Sequence, residues 1–131
     1  MSTSTPLPST PAGKHALVYG GSTAGLIAAG VLSRNFERVT LVERDRLENG
    51  SQLRKGVPQG AHVHGLLTPG MNVLCEVFPG FREELKAAGS HFIDFTGEHA
   101  WFMGGFWRPR IPCGLHFYAQ SRPLLEWIIR Q

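Results

Sequence analysis

The sequence predicts an α/β fold, with a βαβ unit at its start and an antiparallel portion of short strands after it. Three observations point there. Residues 15–19 (HALVY) and 39–43 (VTLVE) are short apolar runs rich in strand formers. Between them, Gly20 and Gly21 end the first run, and residues 24–32 (AGLIAAGVL) form an apolar stretch of helical length built largely from small side chains. After Gly89 the pattern changes to short aromatic runs separated by Gly and Pro.

Taken in order, residues 1–13 are rich in Ser, Thr and Pro and hold no apolar run. They read as a flexible tail, not a secretory leader. The folded part begins at Lys14, and residues 14–131 are expected to form one unit. Strand, glycine turn, helix and strand then follow within about 30 residues, the span of a βαβ unit with a right-handed crossover. Residues 44–61 are polar and carry Gly50, Gly56, Pro58 and Gly60. They are expected to form a long loop, and long loops inside compact domains are usually functional. Helices are expected over residues 71–78 and 81–88, with Pro79 and Gly80 as punctuation and Gly89 as the stop. Short strands are expected over residues 91–95, 100–103, 106–108 and 115–119. Ser121 then caps a last helix, with Pro123 in its first turn and Leu124, Leu125, Ile128 and Ile129 on its apolar side. The sequence stops inside that helix at Gln131, which leads us to expect the incomplete N-terminal part of a larger domain.

Composition narrows the function classes. Of 131 residues, 42% are hydrophobic and 18% charged, a globular balance sufficient for one core. The net charge is +3 with the two signs interleaved, so no basic block argues for nucleic acid. No segment approaches the roughly 20 apolar residues that span a bilayer. Cys75 and Cys113 are too far apart for a Cys-x-x-Cys site and read as reduced, buried thiols. A cytoplasmic protein is expected.

The chemistry concentrates in the glycine turn. Gly20, Gly21, Ser22, Thr23, Ala24 and Gly25 lie between a strand and a helix, where a G-x-G-x-x-G fingerprint would place glycines at 20, 22 and 25. The first makes the tight turn, and the last lets the helix lie close to the strand. Backbone N–H groups at the helix N-terminus then face a pyrophosphate. Position 22 is Ser, which keeps the backbone cradle and adds a hydroxyl donor but crowds the closest approach. Glu43 ends the second strand at roughly the 20-residue spacing expected of the acid that accepts from ribose hydroxyls. Together these features predict a Rossmann-like dinucleotide site. An acid in that position disfavours a 2′-phosphate. The plain alternative is a structural βα turn with a solvated acid nearby.

Three stretches in fixed order carry a further resemblance: YGGSTAGLIAAGVL with LVERD, then RKGVPQGAHVHGLL, then FYAQSRPLLEW. Across residues 14–131 the chain resembles the N-terminal portion of FAD-dependent monooxygenases of the aromatic-hydroxylase and squalene-epoxidase-like group. The resemblance implies that the glycine turn and Glu43 hold the ADP half of FAD and that Arg44 flanks the adenine. It also implies that Arg54 reaches the flavin side, and that Arg122 approaches the ribityl-pyrophosphate region. A guanidinium is a permanent forked donor for phosphate oxygens, although each arginine also suits a surface ion pair. Gln59, His62 and His64 would line the isoalloxazine pocket. The alternatives for them are ordinary loop packing or, for the His-x-His pair, a metal site whose further ligands no nearby pattern supplies.

The implied activity is oxidation of an apolar or aromatic small molecule using NAD(P)H and O2, centred on the cofactor, with no residue presenting itself as an acid–base catalyst. Trp101, Phe102, Phe106, Trp107, Phe117 and Tyr118 would wall the substrate pocket or fill the core. Two other readings stay open. One is an NAD-dependent dehydrogenase, which would be expected to continue as βαβα. The other is a non-catalytic remnant that keeps only the dinucleotide-binding start. The family's later motifs and its substrate domain have no counterpart in the chain, so we expect it to be inactive or weak alone.

Overall fold

A computed structural model describes residues 12–131. The expected βαβ unit is present: β1 (Gly13–Tyr19), α1 (Thr23–Leu32) and β2 (Phe36–Val42). The two strands run parallel, in register from Gly13 opposite Phe36 to Tyr19 opposite Val42. Ala16 and Val18 are buried while Leu17 and Tyr19 are exposed, the period-2 alternation of a strand covered on one face. α1 lies on the strands, and its small side chains set the spacing. A β-carbon on Gly30 would come within 2.5 Å of the Phe78 ring.

The polar segment after β2 is a loop, as expected, with one 3-10 turn at Pro58–Ala61. A short strand the sequence reading did not anticipate follows, β3 (His64–Leu67), and it runs directly into α2 (Thr68–Val77), then α3 (Phe81–Ala87) and β4 (His91–Asp94). α2 starts before the expected residue 71, because Pro69 sits in its first turn, where a missing N–H costs nothing. A hairpin of two-residue strands, β5 (Phe102–Met103) and β6 (Phe106–Trp107), precedes β7 (His116–Gln120) and α4 (Arg122–Ile129).

The antiparallel portion is not one layer. β7 lies between β3 and β4 in a three-stranded sheet, and β5–β6 pair only with each other. This corrects the aromatic expectation. Tyr118, on the central strand, is buried at 4% exposure, whereas Phe102, Phe106 and Trp107 are more than half exposed, on a hairpin that among the described residues stands as a separate two-stranded sheet. The thiols also differ from expectation: Cys75 is half-buried and Cys113 exposed.

The core sits between the helices and β7: Leu26 of α1, Met71 and Leu74 of α2, Phe81 and Leu85 of α3, Tyr118, and Leu125, Ile128 and Ile129 of α4. α4 therefore lands on α1 and α3, and its first turn is carried to the start of α1. That placement builds the site.

Candidate functional site

β1 ends at Tyr19, and Gly20 turns the chain with φ +96°, a left-handed conformation that disfavours side chains. Its N–H donates to the Val42 carbonyl at 2.8 Å, tying the carboxyl ends of the two strands together. α1 begins so close to this turn that a β-carbon on Gly25 would lie 1.8 Å from the Gly20 oxygen. The roles expected of the first and last glycines are the ones the geometry requires. Ser22 is the N-cap of α1 in extended conformation, and its hydroxyl makes no cap to the helix.

Glu43 stands one residue beyond the end of β2. Its Oε2 accepts from the Gly21 N–H at 2.5 Å and its Oε1 from the Asp45 N–H at 3.0 Å. The Arg54 guanidinium is 3.4 Å away. The Asp45 backbone bond, helped by that of Gly21 and the Arg54 charge, outweighs burial and holds the carboxyl below its ordinary pKa. A carboxylate offers about four lone-pair positions, so Glu43 retains acceptor capacity for a sugar hydroxyl.

An open crevice of about 420 Å³ lies here, walled by Tyr19, Gly20, Ser22, Glu43, Arg44 and Val57 among others. It sits at the carboxyl ends of parallel strands, the position where open α/β sheets take ligands. Arg44 is exposed at its edge.

The turn is also held by a charged cluster that includes the other two candidate arginines. Glu126, in α4, is 4% exposed. Its Oε1 accepts from the Ser22 hydroxyl at 2.7 Å, the Thr23 N–H at 3.1 Å and Arg122 Nε at 2.8 Å, and more loosely from the Thr23 hydroxyl. Its Oε2 accepts from Arg54 Nη2 at 2.5 Å, and the same nitrogen donates to the Gly21 carbonyl at 3.0 Å. Arg122 Nη2 donates to the Ser22 hydroxyl at 2.9 Å. Burial alone would raise the Glu126 pKa, but the bonds from Arg54, Arg122 and Ser22 prevail and lower it to about 2. Asp45 completes the loop by accepting from the Gly56 N–H at 2.6 Å.

The structure thus brings Gly20, Gly21, Ser22, Thr23, Gly25, Glu43, Arg44, Arg54 and Arg122 together, with Ala24 exposed on the first turn of α1. It does not bring Gln59, His62 and His64 to the crevice wall. Gln59 and His62 are exposed, and His64 is half-buried with Nδ1 donating to the His62 carbonyl at 2.9 Å. Sequence reasoning missed Glu126. A signal for it existed: an acid flanked by Leu125 and Ile128 on an apolar helix, four residues after an arginine. Asp45 was legible only as a polar loop residue.

A second, apolar cleft of about 490 Å³ lies between the hairpin and the following loop, lined by Phe95, Trp101, Met103, Ile111, Pro112 and Cys113. Of the aromatic cluster expected to wall a pocket, Trp101 lines this cleft.

No family model matches the chain. It is similar to Protein Rv3254 of Mycobacterium tuberculosis (strain ATCC 25618 / H37Rv), at 36% identity over 125 residues, which is 89% of this chain and 26% of the relative. The chain therefore spans about a quarter of the length of the curated relative it matches. No helix among the described residues is long and apolar enough to cross a membrane.

Proposed function

We propose that the chain forms the FAD-binding start of a flavin-dependent oxidoreductase, and that the whole protein is a monooxygenase of the aromatic-hydroxylase and squalene-epoxidase-like group acting on an apolar or aromatic small molecule with NAD(P)H and O2. The observation that carries the reading is the crevice itself. A left-handed glycine, a helix start with no room for a β-carbon at residue 25, and a fixed carboxylate at the end of the second strand all meet there.

The residues fit the ADP half of the group. The N-terminus of α1 offers positive backbone dipoles to a diphosphate, and Ser22 lines the crevice at that point. Glu43 would accept from the ribose, and the exposed Arg44 would lie along the adenine. Gln59, His62 and His64 are not assembled into a flavin pocket, so their proposed role rests on the resemblance alone. When bound, FAD would supply the redox chemistry, and the chain's own residues would bind and orient it.

Support for FAD over NAD comes from the topology after α1 and β2. The chain turns to the antiparallel β3–β7–β4 sheet where a dehydrogenase would be expected to add parallel strands. Titrating the purified chain with FAD and with NAD tests this. FAD binding with quenched flavin fluorescence and no measurable NAD binding is expected, and the reverse preference would overturn the reading in favour of the dehydrogenase. Flavin-dependent NAD(P)H consumption by this chain alone would remove the non-catalytic reading.

A further inference from the structure

Glu126 belongs to no wall of the crevice, yet it bonds to Ser22, Thr23, Arg54 and Arg122. We propose that Glu126 is a positioning residue for the diphosphate of the bound dinucleotide, an inference that rests on the dinucleotide reading above.

A diphosphate at the start of α1 needs that helix end and its neighbouring cations held in one place before it arrives, because each flexible side chain ordered on binding weakens affinity. Glu126 supplies the constraint. One oxygen holds the Ser22 hydroxyl, the Thr23 N–H and Arg122 Nε, and the other holds Arg54 Nη2. The two guanidiniums approach the turn from segments 68 residues apart in sequence, one on the loop and one on α4, and the Glu126 carboxylate bridges them. It leaves Arg54 Nη1 buried, ion-paired to Glu43 and Asp45 at 3.4 and 3.8 Å, with no hydrogen bond among the described residues. Without the carboxylate, two cations behind the turn would repel each other and the Ser22 hydroxyl would lose its fixed direction.

Glu126 takes the Thr23 N–H, a donor that a phosphate could also use, so it could be a competitor that the ligand displaces. Its position argues against that role. The carboxylate is buried at 4% exposure, whereas the crevice is walled by Ser22 and Glu43. Displacing it would strip two half-buried arginines of their shared partner, a costly step.

Titration of the whole chain with FAD, ADP and adenosine decides between the roles, using wild type, Glu126→Gln and Glu126→Asp. Glu126→Gln is expected to weaken FAD and ADP by about tenfold or more, the loss of one charged bonding network, and to leave adenosine unchanged. Glu126→Asp keeps the charge on a shorter arm and is expected to fall between. Circular dichroism verifies folding at the titration temperature, and if Glu126→Gln does not fold, the same comparison with Glu126→Asp decides. Unchanged ADP affinity, tighter ADP binding, or an equal loss for adenosine would each overturn the proposal, the last by revealing a merely structural role. Wild type that binds none of the three ligands would defeat the dinucleotide reading first. Wild type that binds while the variant is unaffected would defeat this inference alone.

Discussion

Gly25→Ala is the substitution on which the site's geometry makes its sharpest demand. The added β-carbon would lie 1.8 Å from the Gly20 oxygen, and real β-carbons essentially never come under 3.0 Å. The helix and the turn must therefore separate by about 1.2 Å or more. The β-carbon is fixed by the backbone of residue 25 and its partner is a backbone oxygen, so no side chain can rotate to relieve the clash. A movement of that size would stretch the Thr23 N–H to Glu126 bond, now 3.1 Å, to about 4 Å, beyond hydrogen-bonding range. Overpacking costs about 1–3 kcal/mol, and a lost hydrogen bond to a charged group about 1.5–3 kcal/mol. We expect a destabilisation of about 4 kcal/mol, large against a typical domain stability of roughly 5–15 kcal/mol. For a chain of this size that lowers the melting temperature by roughly 10–15 °C. Thermal denaturation by circular dichroism measures it, with FAD titration in parallel. A variant that melts within about 2 °C of wild type and binds FAD equally would show that α1 does not need the close approach, and the reasoning for the cradle would fall.

Three further outcomes are expected. Glu43→Ala should weaken FAD binding by about tenfold or more, and Asp45→Ala by much less, because Asp45 serves the loop through the Gly56 N–H; equal losses in a titration would remove Glu43 from the ribose. Glu126 has its pKa lowered from 4.5 to about 2, so its contribution is complete above pH 4.5 and lost as pH falls from there towards 2. That contribution is about 1–3 kcal/mol, the smaller figure allowing for solvent screening, and an acid titration of the melting temperature should be flatter in Glu126→Gln than in wild type. Leu85 is fully buried in the core, and Leu85→Ala should cost about 2–5 kcal/mol in a denaturant titration.

The βαβ unit was legible because its signals are local. Strand runs, a glycine turn and a small-residue helix each announce themselves within a few residues, and residues 15–19, 24–32 and 39–43 fall inside or one residue beyond the observed elements. β3 was not legible. HGLL is too short to carry a period, and it is a strand only because β7 pairs with it from His64 opposite Gln120 to Leu67 opposite Phe117. The aromatic hairpin misled for the complementary reason. Phe102, Phe106 and Trp107 have the composition of buried strands, but burial needs an opposing layer, and no local pattern reports whether one exists. At the site, Gly20, Gly25 and Glu43 were readable from spacing. Glu126 was legible only as an acid on an apolar helix four residues after an arginine; its role was not, because that comes from α4 meeting α1, a contact set by packing far along the chain.

That contact has a consequence for how the protein is made. The Ser22 hydroxyl and Glu126 are separated by 104 positions, so the glycine turn is braced by a side chain made long after it. Closing so long a loop is entropically costly and slow compared with forming the local βαβ unit. At ribosomal rates of roughly 5–20 residues per second, the early strands wait several seconds before the residue that completes them has been synthesised. A nascent chain halted before α4 emerges would therefore carry a recognisable βαβ unit whose turn is not yet braced by the Glu126 carboxylate.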